Sequence, residues 1–236
     1  MRVLLPPGAA VEGERCRLSE EESHHLRVRR AAEGEVVEIR DGAGLTGTGR
    51  LVKSSDRFDL EVVTARREPL GGPLTLAVGA GDKERFAWLV EKAAELGVTR
   101  IVPLETERTA GVATRLRPAQ LDKLRRLALE TTKQCGAAWA AEVAAPETVE
   151  ELVLARPDGI RWLAEAGGAP ASPVLDSAPV TVVIGPEGGL TPTEAGRLRT
   201  AGYHPVTLGR FTLRFETAAI AAAAVVAAAR QRGNHG

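Results

Sequence analysis

The chain has few aromatic residues and no excess charge of either sign over its 236 residues. Aromatic side chains make up 3% of it, which argues against the broad base-stacking platform that single-strand binders use. Lysine plus arginine and aspartate plus glutamate both total 31, so any surface for nucleic acid must come from local clustering of basic side chains. Overall charge therefore neither supports nor excludes an RNA partner.

Cysteine is also scarce, and no apolar run is long. Cys16 and Cys135 form no C-x-x-C pair, which argues against a disulfide scaffold or thiolate-bound zinc and favours a reducing cytoplasm. The four histidines match no zinc spacing, so we expect no metal. The longest apolar tract, residues 218–229, is too short and too weakly hydrophobic to span a bilayer, and we expect neither a signal peptide nor a membrane segment.

Short strands and tight turns dominate the first part of the chain. The clearest predicted strands are residues 35–40, 49–53 and 58–64, with a hairpin turn at 41–44. Prolines and glycines in segment 68–73 break both helical and strand periodicity, so we place a domain boundary there. We expect a small β-rich domain over residues 1–68 and a second domain over residues 73–236.

After this boundary strands alternate with helices, which predicts an α/β domain with a parallel sheet. The predicted strands are residues 74–78, 98–104, 161–164, 180–184 and 206–208. The predicted helices are residues 83–96, 118–132, 192–201 and 217–230. Residues 167–179 are rich in Gly, Ala, Ser and Pro and are expected to form a surface loop.

Two glycine turns follow two continuous apolar strands of this predicted sheet. The first is Gly185-Pro186-Glu187-Gly188-Gly189 and the second is Leu208-Gly209-Arg210. Because ligands of parallel sheets collect at the carboxyl ends of strands, the turns predict one ligand site. The first turn runs into Thr191-Pro192-Thr193-Glu194, which fits a helix capping box. On glycine spacing alone a purely structural turn is an equally good interpretation, and the P-loop and dinucleotide motifs are absent.

Several short motifs occur in one order along the chain. They are His24-His25-Leu26-Arg27-Val28, Lys92-Ala93-Ala94-Glu95-Leu96-Gly97-Val98, Lys133-Gln134, Ile184-Gly185-Pro186-Glu187-Gly188-Gly189, Leu208-Gly209 and Leu213-Arg214-Phe215-Glu216-Thr217-Ala218. In these motifs the chain resembles the SPOUT methyltransferases of the RsmE type, which methylate N3 of a uridine in 16S ribosomal RNA. The resemblance implies an N-terminal PUA-like β-barrel and a C-terminal SPOUT α/β domain with a deep trefoil knot at about residues 182–230. It also implies a homodimer, S-adenosylmethionine as cofactor, and 16S ribosomal RNA or the small ribosomal subunit as partner.

The same resemblance implies positions for the cofactor and the RNA. Three strand ends and the loops behind them are expected to enclose S-adenosylmethionine through Leu163, Ala164, Glu165, Ile184, Gly185, Pro186, Glu187, Gly188, Gly189, Leu208, Gly209, Thr212, Leu213 and Thr217. RNA phosphates are expected to meet the densest basic cluster through Arg2, His25, Arg27, Arg29 and Arg30. A solvated basic surface is the alternative interpretation of that cluster.

Methylation of uracil N3 requires the loss of a weakly acidic proton and stabilisation of the negative charge that results. An arginine beside the cofactor supplies such stabilisation, and Arg214 is the first candidate, with Arg210 second. An ion pair between Arg214 and Glu216 is the structural alternative. Glu187 is expected to orient backbone amides rather than to act as a base, and no residue is assigned as the general base.

The loop Arg210-Phe211-Thr212 departs from the family pattern, which usually has proline, arginine and isoleucine there. Gln134 is followed by Cys135-Gly136 where the family usually has a serine and soon an arginine, and Arg29 stands where leucine is usual. The favoured prediction is a cytoplasmic S-adenosylmethionine-dependent 16S rRNA (uridine-N3)-methyltransferase. The alternative, motivated by the altered loop, is a ribosomal RNA-binding protein that kept the SPOUT fold and lost catalysis.

Overall fold

The computed structural model describes residues 1–55, 57–79, 81–109, 116–171 and 177–233. The chain forms two compact units, Met1–Leu70 with Leu129–Ala140 and Gly71–Ala128 with Ala141–Gly236. The division after Leu70 falls within the predicted boundary segment 68–73. The assignment of Leu129–Ala140 to the first unit has no counterpart in the sequence pattern, since the first part of that segment continues a regular helix that ends at Cys135.

A five-stranded sheet forms most of the first unit. Its elements are β1 (Arg2–Leu4), β2 (Arg15–Arg17), α1 (Glu20–Val28), β3 (Val36–Arg40), β4 (Leu45–Ser54) and β5 (Arg57–Arg67). The strand order is β1-β3-β4-β5-β2, with β1 parallel to β3 and the other pairs antiparallel. Alternate residues of β5, namely Phe58, Leu60 and Val62, are buried in the core of this unit, as the period of a half-exposed strand requires.

Helix α1 interrupts the β-rich pattern that the sequence predicts for this unit. Ser19 caps the helix by accepting a hydrogen bond from the Glu22 backbone N–H at 3.1 Å, and three glutamates occupy the first turn. Leu26 is the buried apolar anchor of the helix. Because the helix is short and has few buried apolar positions, hydrophobic periodicity alone did not reveal it.

The second unit is an α/β unit with a parallel sheet. Its strands are β6 (Leu74–Gly79), β7 (Arg100–Glu105), β8 (Glu142–Val143), β9 (Glu147–Thr148), β10 (Ile160–Pro170), β11 (Val180–Ile184) and β12 (His204–Thr207). Its helices are α2 (Lys83–Glu95), α3 (Pro118–Cys135), which ends in the first unit, α4 (Val149–Ala155), α5 (Pro192–Thr200) and α6 (Phe215–Gly233). The strand order is β12-β10-β11-β6-β7-β8, β9 also pairs with β7, and all these pairs are parallel.

Both faces of this sheet are covered. All five residues of β11 are buried, and its four aliphatic residues divide between two apolar clusters. Val182 packs in the cluster that includes α2 and α6, whereas Val183 packs in the cluster with Leu198 of α5 and Tyr203. The continuous apolar pattern at 180–184 is thereby confirmed as a strand covered on both sides.

Strand β10 is longer than the sequence predicts, and this corrects the expected loop at 167–179. The strand continues to Pro170, and its pairing with β12 shifts register between Ala164 and Ala169. Gly168 permits this pairing, since a Cβ there would lie 2.7 Å from the carbonyl carbon of Pro205. Residues 172–176 of the expected loop lie outside the described residues.

Candidate functional site

A pocket of about 450 Å³ opens where β11 and β12 end and where β10 shifts its register. Parallel strands present their carboxyl ends on one side of a sheet, which is where such folds bind ligands. The pocket is lined by Leu163, Ala164, Glu165, Ala166, Ile184, Gly185, Pro186, Glu187, Gly189, Leu190, Ala195, Val206, Thr207, Leu208, Gly209, Phe211, Thr212, Leu213, Arg214, Phe215 and Ala218. The two glycine turns predicted to form one site therefore do meet.

The turn after β11 is fixed at its far end by α5. The Gly189 N–H donates a 2.7 Å hydrogen bond to the Pro186 carbonyl, and Gly189 adopts a positive φ of 70°. Thr191 and Glu194 then form the predicted capping box, because the Thr191 hydroxyl accepts from the Glu194 N–H and the Glu194 carboxylate accepts from the Thr191 N–H at 2.8 Å. This turn is held in one conformation from both sides.

Two glycines at the end of β6 allow the turn to pack closely, and motif reasoning missed them. A Cβ at Gly79 would lie 2.5 Å from both N and Cδ of Pro186. A Cβ at Gly81 would lie 2.6 Å from Cδ of Glu187, so the Glu187 side chain rests against that backbone. The available signal was glycine at the end of an apolar strand, which also marked the other two turns.

The segment behind β7 also contacts this turn. The Glu107 N–H donates a 2.9 Å hydrogen bond to Oε1 of Glu194, and Nη1 of Arg108 donates to the carbonyl of Gly188. These partners are 87 and 80 residues apart in sequence, so no spacing signal connects them. Arg108 thus braces the turn from outside the pocket.

The loop behind β12 forms the opposite wall. The Thr207 hydroxyl donates a 3.0 Å hydrogen bond to the Gly209 carbonyl, which tightens the start of the loop. Phe211 lines the pocket and is 76% exposed, and Cζ of Arg210 lies 5.6 Å from the centre of its ring. Arg214 also lines the pocket, and no described carboxylate is paired with it.

Most of the cofactor positions inferred from the sequence lie together on the pocket wall. Gly188 and Thr217 are the exceptions. Gly188 faces the side chain of Arg108, whose Cδ is 3.3 Å from the position of a Gly188 Cβ, and Thr217 lies on an exposed side of α6. Of the two candidate catalytic arginines, Arg214 lines the pocket and Arg210 does not.

A carboxylate at the edge of the pocket is neutralised by α5. Both carboxylate oxygens of Glu165 lie 2.6 Å from Nη2 of Arg199. Glu165 therefore presents an ion pair rather than a free negative charge to a ligand. Its carboxylate is also held in one orientation.

The predicted RNA-contacting residues of the first unit fall into two groups. Arg2 is part of the fold, because its Nε lies 2.8 Å from Oε2 of Glu38 and its Nη1 donates to the Gln134 carbonyl at 2.7 Å. The hydrogen bond from Arg2 lowers the pKa of Glu38. Arg27, Arg29 and Arg30 are exposed at the end of α1 and just behind it, while His25 is half-buried. Only the second group presents a basic surface.

Within the described ranges, no three side chains of His, Cys, Asp or Glu are grouped closely enough to hold a metal ion. Of the helices in the described part of the chain, none combines the length and hydrophobicity that a membrane crossing needs.

Comparison with known protein families defines the class of protein. A model of an RNA methyltransferase domain matches residues 66–227, and a model of an RNA methyltransferase PUA domain matches residues 18–63. The chain thus has the fold of an RNA methyltransferase with a PUA-like N-terminal domain.

Individual relatives narrow this class. The chain is 31% identical to the ribosomal RNA small subunit methyltransferase E of Synechocystis over 95% of this chain and 76% of the relative. It is 27% identical to the protein of the same name from Aquifex aeolicus over 89% and 92% of the two chains. The crystal structure of the Neisseria gonorrhoeae enzyme of that name, bound to S-adenosyl methionine, superposes with a TM-score of 0.82 at 27% identity and covers 94% of each chain. The chain belongs to the ribosomal RNA small subunit methyltransferase E family.

Proposed function

We propose that this protein uses S-adenosylmethionine to methylate N3 of a uridine in 16S ribosomal RNA. The observation that carries the proposal is Arg214, an arginine without an ion-pair partner among the described residues, on the wall of a pocket beside β10 and at the carboxyl ends of β11 and β12. The Neisseria gonorrhoeae relative, which is bound to S-adenosyl methionine, supports the choice of cofactor. The names of the curated relatives support the choice of RNA.

The pocket has the chemistry that this cofactor needs. Its volume of about 450 Å³ is within the usual range of small-molecule sites. Leu163 and Ile184 offer apolar surface to a flat base, and Gly185 and Gly209 leave backbone amides and carbonyls open to polar edges. The exposed Glu187 carboxylate favours a cationic ligand at the rim. When bound, S-adenosylmethionine supplies a methyl group made electrophilic by its sulfonium.

Arg214 is proposed to act on the substrate. Loss of the N3 proton leaves negative charge on the uracil ring and its carbonyl oxygens. A guanidinium already positioned beside the pocket stabilises that charge without reorganisation, which is the kind of contribution that dominates many enzymes. Arg210, which does not line the pocket and lies over the Phe211 ring, is assigned to the rim, where it can meet RNA phosphate.

The basic surface at the end of α1 is proposed to bind RNA backbone. Arg27, Arg29 and Arg30 are exposed there, and half-buried His25 lies on the same short helix. Phosphate contacts of this kind orient an RNA without reading its sequence. Arg2 contributes indirectly, because its contacts to Glu38 and Gln134 hold the strand β1 beside β3. We further propose a homodimer acting in the cytoplasm on 16S rRNA or the small subunit.

We also propose domain limits at residues 1–68 and 73–236. Two further architectural features, a closed barrel and a knot, are part of the proposal. A closed PUA-like barrel in the first domain is supported by the register shift at Thr48/Gly49 of β4, which is a device for curving a sheet. A trefoil knot at about residues 182–230 is supported by the path of α6. This helix follows the loop behind β12, which lines the same pocket as residues of β10 and β11. The helix then packs against α2, β6 and β11.

The test is methyl transfer to unmodified 16S rRNA, free or in small subunits, with labelled S-adenosylmethionine and nucleoside mass spectrometry of the product. We expect N3-methyluridine. Ala166→Trp fills the pocket from an exposed lining position and should abolish both cofactor binding and transfer, whereas Ala155→Trp, exposed outside the pocket, should leave both intact. A methyl group on another atom would overturn the assignment of N3. If S-adenosylmethionine does not bind at millimolar concentration, the protein is not a methyltransferase, and a role in RNA binding without catalysis is favoured.

A further inference from the structure

One phenylalanine of this chain lies where no packing requirement explains it. Phe58, Phe86 and Phe215 are between 0% and 5% exposed, whereas Phe211 is 76% exposed. Single exposed apolar residues are common on protein surfaces. Phe211 is distinguished by its location, because its side chain lines the pocket beside β10 and at the ends of β11 and β12.

The environment of the ring is asymmetric. The Arg210 guanidinium lies over the ring at 5.6 Å from the centroid, within the range of a cation–π contact. A ring has two faces, and an exposure of 76% means that most of the remaining surface is open. The chain therefore presents an aromatic face at the mouth of a pocket, with positive charge behind it and with Arg214 on the same pocket wall.

We propose that Phe211 is the stacking residue for the uracil that is methylated. This inference rests on the proposed function, since it concerns how that RNA base is held. A base must leave its stack before its N3 can be reached, and the lost stacking is recovered if a planar side chain receives it. The cation behind the ring favours a base on which negative charge develops. Phe211 orients the base, and Arg214 stabilises its charge.

The side chain at position 211 can be varied without disturbing the core, because it is exposed. Phe211→Leu keeps an apolar side chain and removes the aromatic face, whereas Phe211→Tyr and Phe211→Trp keep it. Dissociation constants for unmodified 16S rRNA are measured across a salt series, and those for S-adenosylmethionine are measured by calorimetry. Sedimentation of each variant gives its oligomeric state.

We expect Phe211→Leu to raise the dissociation constant for RNA by about 5- to 150-fold, the range for loss of one stacked base. The tyrosine and tryptophan variants should stay close to the native value. The slope of log Kd against log salt should be the same for all, because no phosphate contact is removed. Cofactor affinity should also be unchanged.

Three results would overturn the proposal. RNA affinity of the leucine variant equal to the native value would exclude stacking. A loss confined to S-adenosylmethionine affinity would make the ring a cover for the cofactor, and a changed oligomeric mass would make it a subunit contact. These outcomes are independent of the proposed reaction, since RNA and cofactor affinities are measured without turnover. If the native protein transfers no methyl group to rRNA, the proposed function is wrong. The comparison of RNA affinities among the variants still decides whether Phe211 stacks on an RNA base.

Discussion

Nη1 of Arg85 lies 3.9 Å from Oε1 of Glu216, so the buried carboxylate at the start of α6 faces helix α2. The sequence left open an ion pair between Glu216 and Arg214, and the structure does not contain it. Arg214 instead lines the pocket without a carboxylate partner in the described ranges. An arginine that is not neutralised by its own protein is available to a negatively charged reaction partner.

Replacement of Arg214 should therefore impair catalysis more than binding. We expect Arg214→Ala to lower kcat by about 100-fold, the usual effect of removing one preorganised donor from a developing anion. Arg214→Lys should recover part of the loss because it restores charge without the planar donor geometry. Single-turnover methylation of 16S rRNA measures the rate of methyl transfer by each variant.

Arg126→Ala provides the matched control, because Arg126 is an exposed arginine on α3 and does not line the pocket. Its kcat should equal that of the native protein. Calorimetry should give the same S-adenosylmethionine affinity for the Arg214 variants and the native chain. Equal kcat for Arg214→Ala and Arg126→Ala would refute the proposed role.

Gly79→Ala should disturb the cofactor pocket from behind. The added methyl group would lie 2.5 Å from backbone and ring atoms of Pro186, so the turn after β11 must move. We expect a stability loss of about 1–3 kcal/mol. We also expect the affinity for S-adenosylmethionine to fall about tenfold, which corresponds to ~1.4 kcal/mol of binding free energy.

A second glycine provides a control for the same substitution. Gly196 lies in α5 with nothing within 4 Å of its Cβ position, so Gly196→Ala should leave cofactor binding unchanged. It should raise stability by about 0.5–1 kcal/mol through helix propensity. Calorimetry and thermal unfolding compare the two variants, and equal cofactor affinities would contradict the proposed close packing.

Lys133 and Glu22 form a buried ion pair within the first unit. Nζ of Lys133 lies 2.7 Å from Oε1 of Glu22, and the two side chains are 12% and 7% exposed. Lys133→Met should lower the free energy of unfolding of the first unit by about 3 kcal/mol, because it leaves a buried carboxylate without its cation. The backbone amides of β3–β5 report this free energy. Adding Glu22→Leu should recover most of this loss. Hydrogen exchange measures this loss. Lys92→Met, which removes two partly exposed ion pairs in the second unit, should have no measurable effect on these amides.

Tyr203 should make stability depend on pH in the alkaline range. Burial raises the pKa of its hydroxyl from 10.0 to about 12, with Arg161 opposing the shift and Glu147 adding to it. The neutral form is thus favoured in the fold, so this contribution is complete below pH 10 and is lost as the pH rises toward 12. Two pKa units correspond to about 2–3 kcal/mol.

Tyr203→Phe isolates this effect. Among the described residues the Tyr203 hydroxyl has no hydrogen-bond partner, so the variant should be at least as stable as the native protein at pH 8. Between pH 10 and 12 it should lose less stability than the native chain. Urea unfolding at pH 8 and pH 11 measures the difference, and parallel losses in both proteins would disprove the assignment.

Local signals in the sequence predicted much of the second unit. The apolar stretch at 180–184 is a strand with those bounds, and the capping box at Thr191 and Glu194 starts α5 as expected. These features depend on residues close together in the chain, where propensity, periodicity and capping chemistry act. Helix α1 and the continuation of β10 to Pro170 were missed, because the first has few apolar positions and the second depends on pairing with β12.

The sequence by itself determined the order of the main strands and helices of the second unit, the two glycine turns and the residues of most of the pocket wall. Only the tertiary structure decided which of those residues contact one another and which residues from elsewhere in the chain contact them. Glu216 faces Arg85, and Arg214 has no carboxylate partner among the described residues. Arg108 donates a hydrogen bond to the Gly188 carbonyl, and Gly79 lets Pro186 pack closely. The physical reason is that partner choice depends on which strands are neighbours in the sheet and how closely their ends approach. Separations of 80 residues or more along the chain carry no periodicity from which that could be inferred.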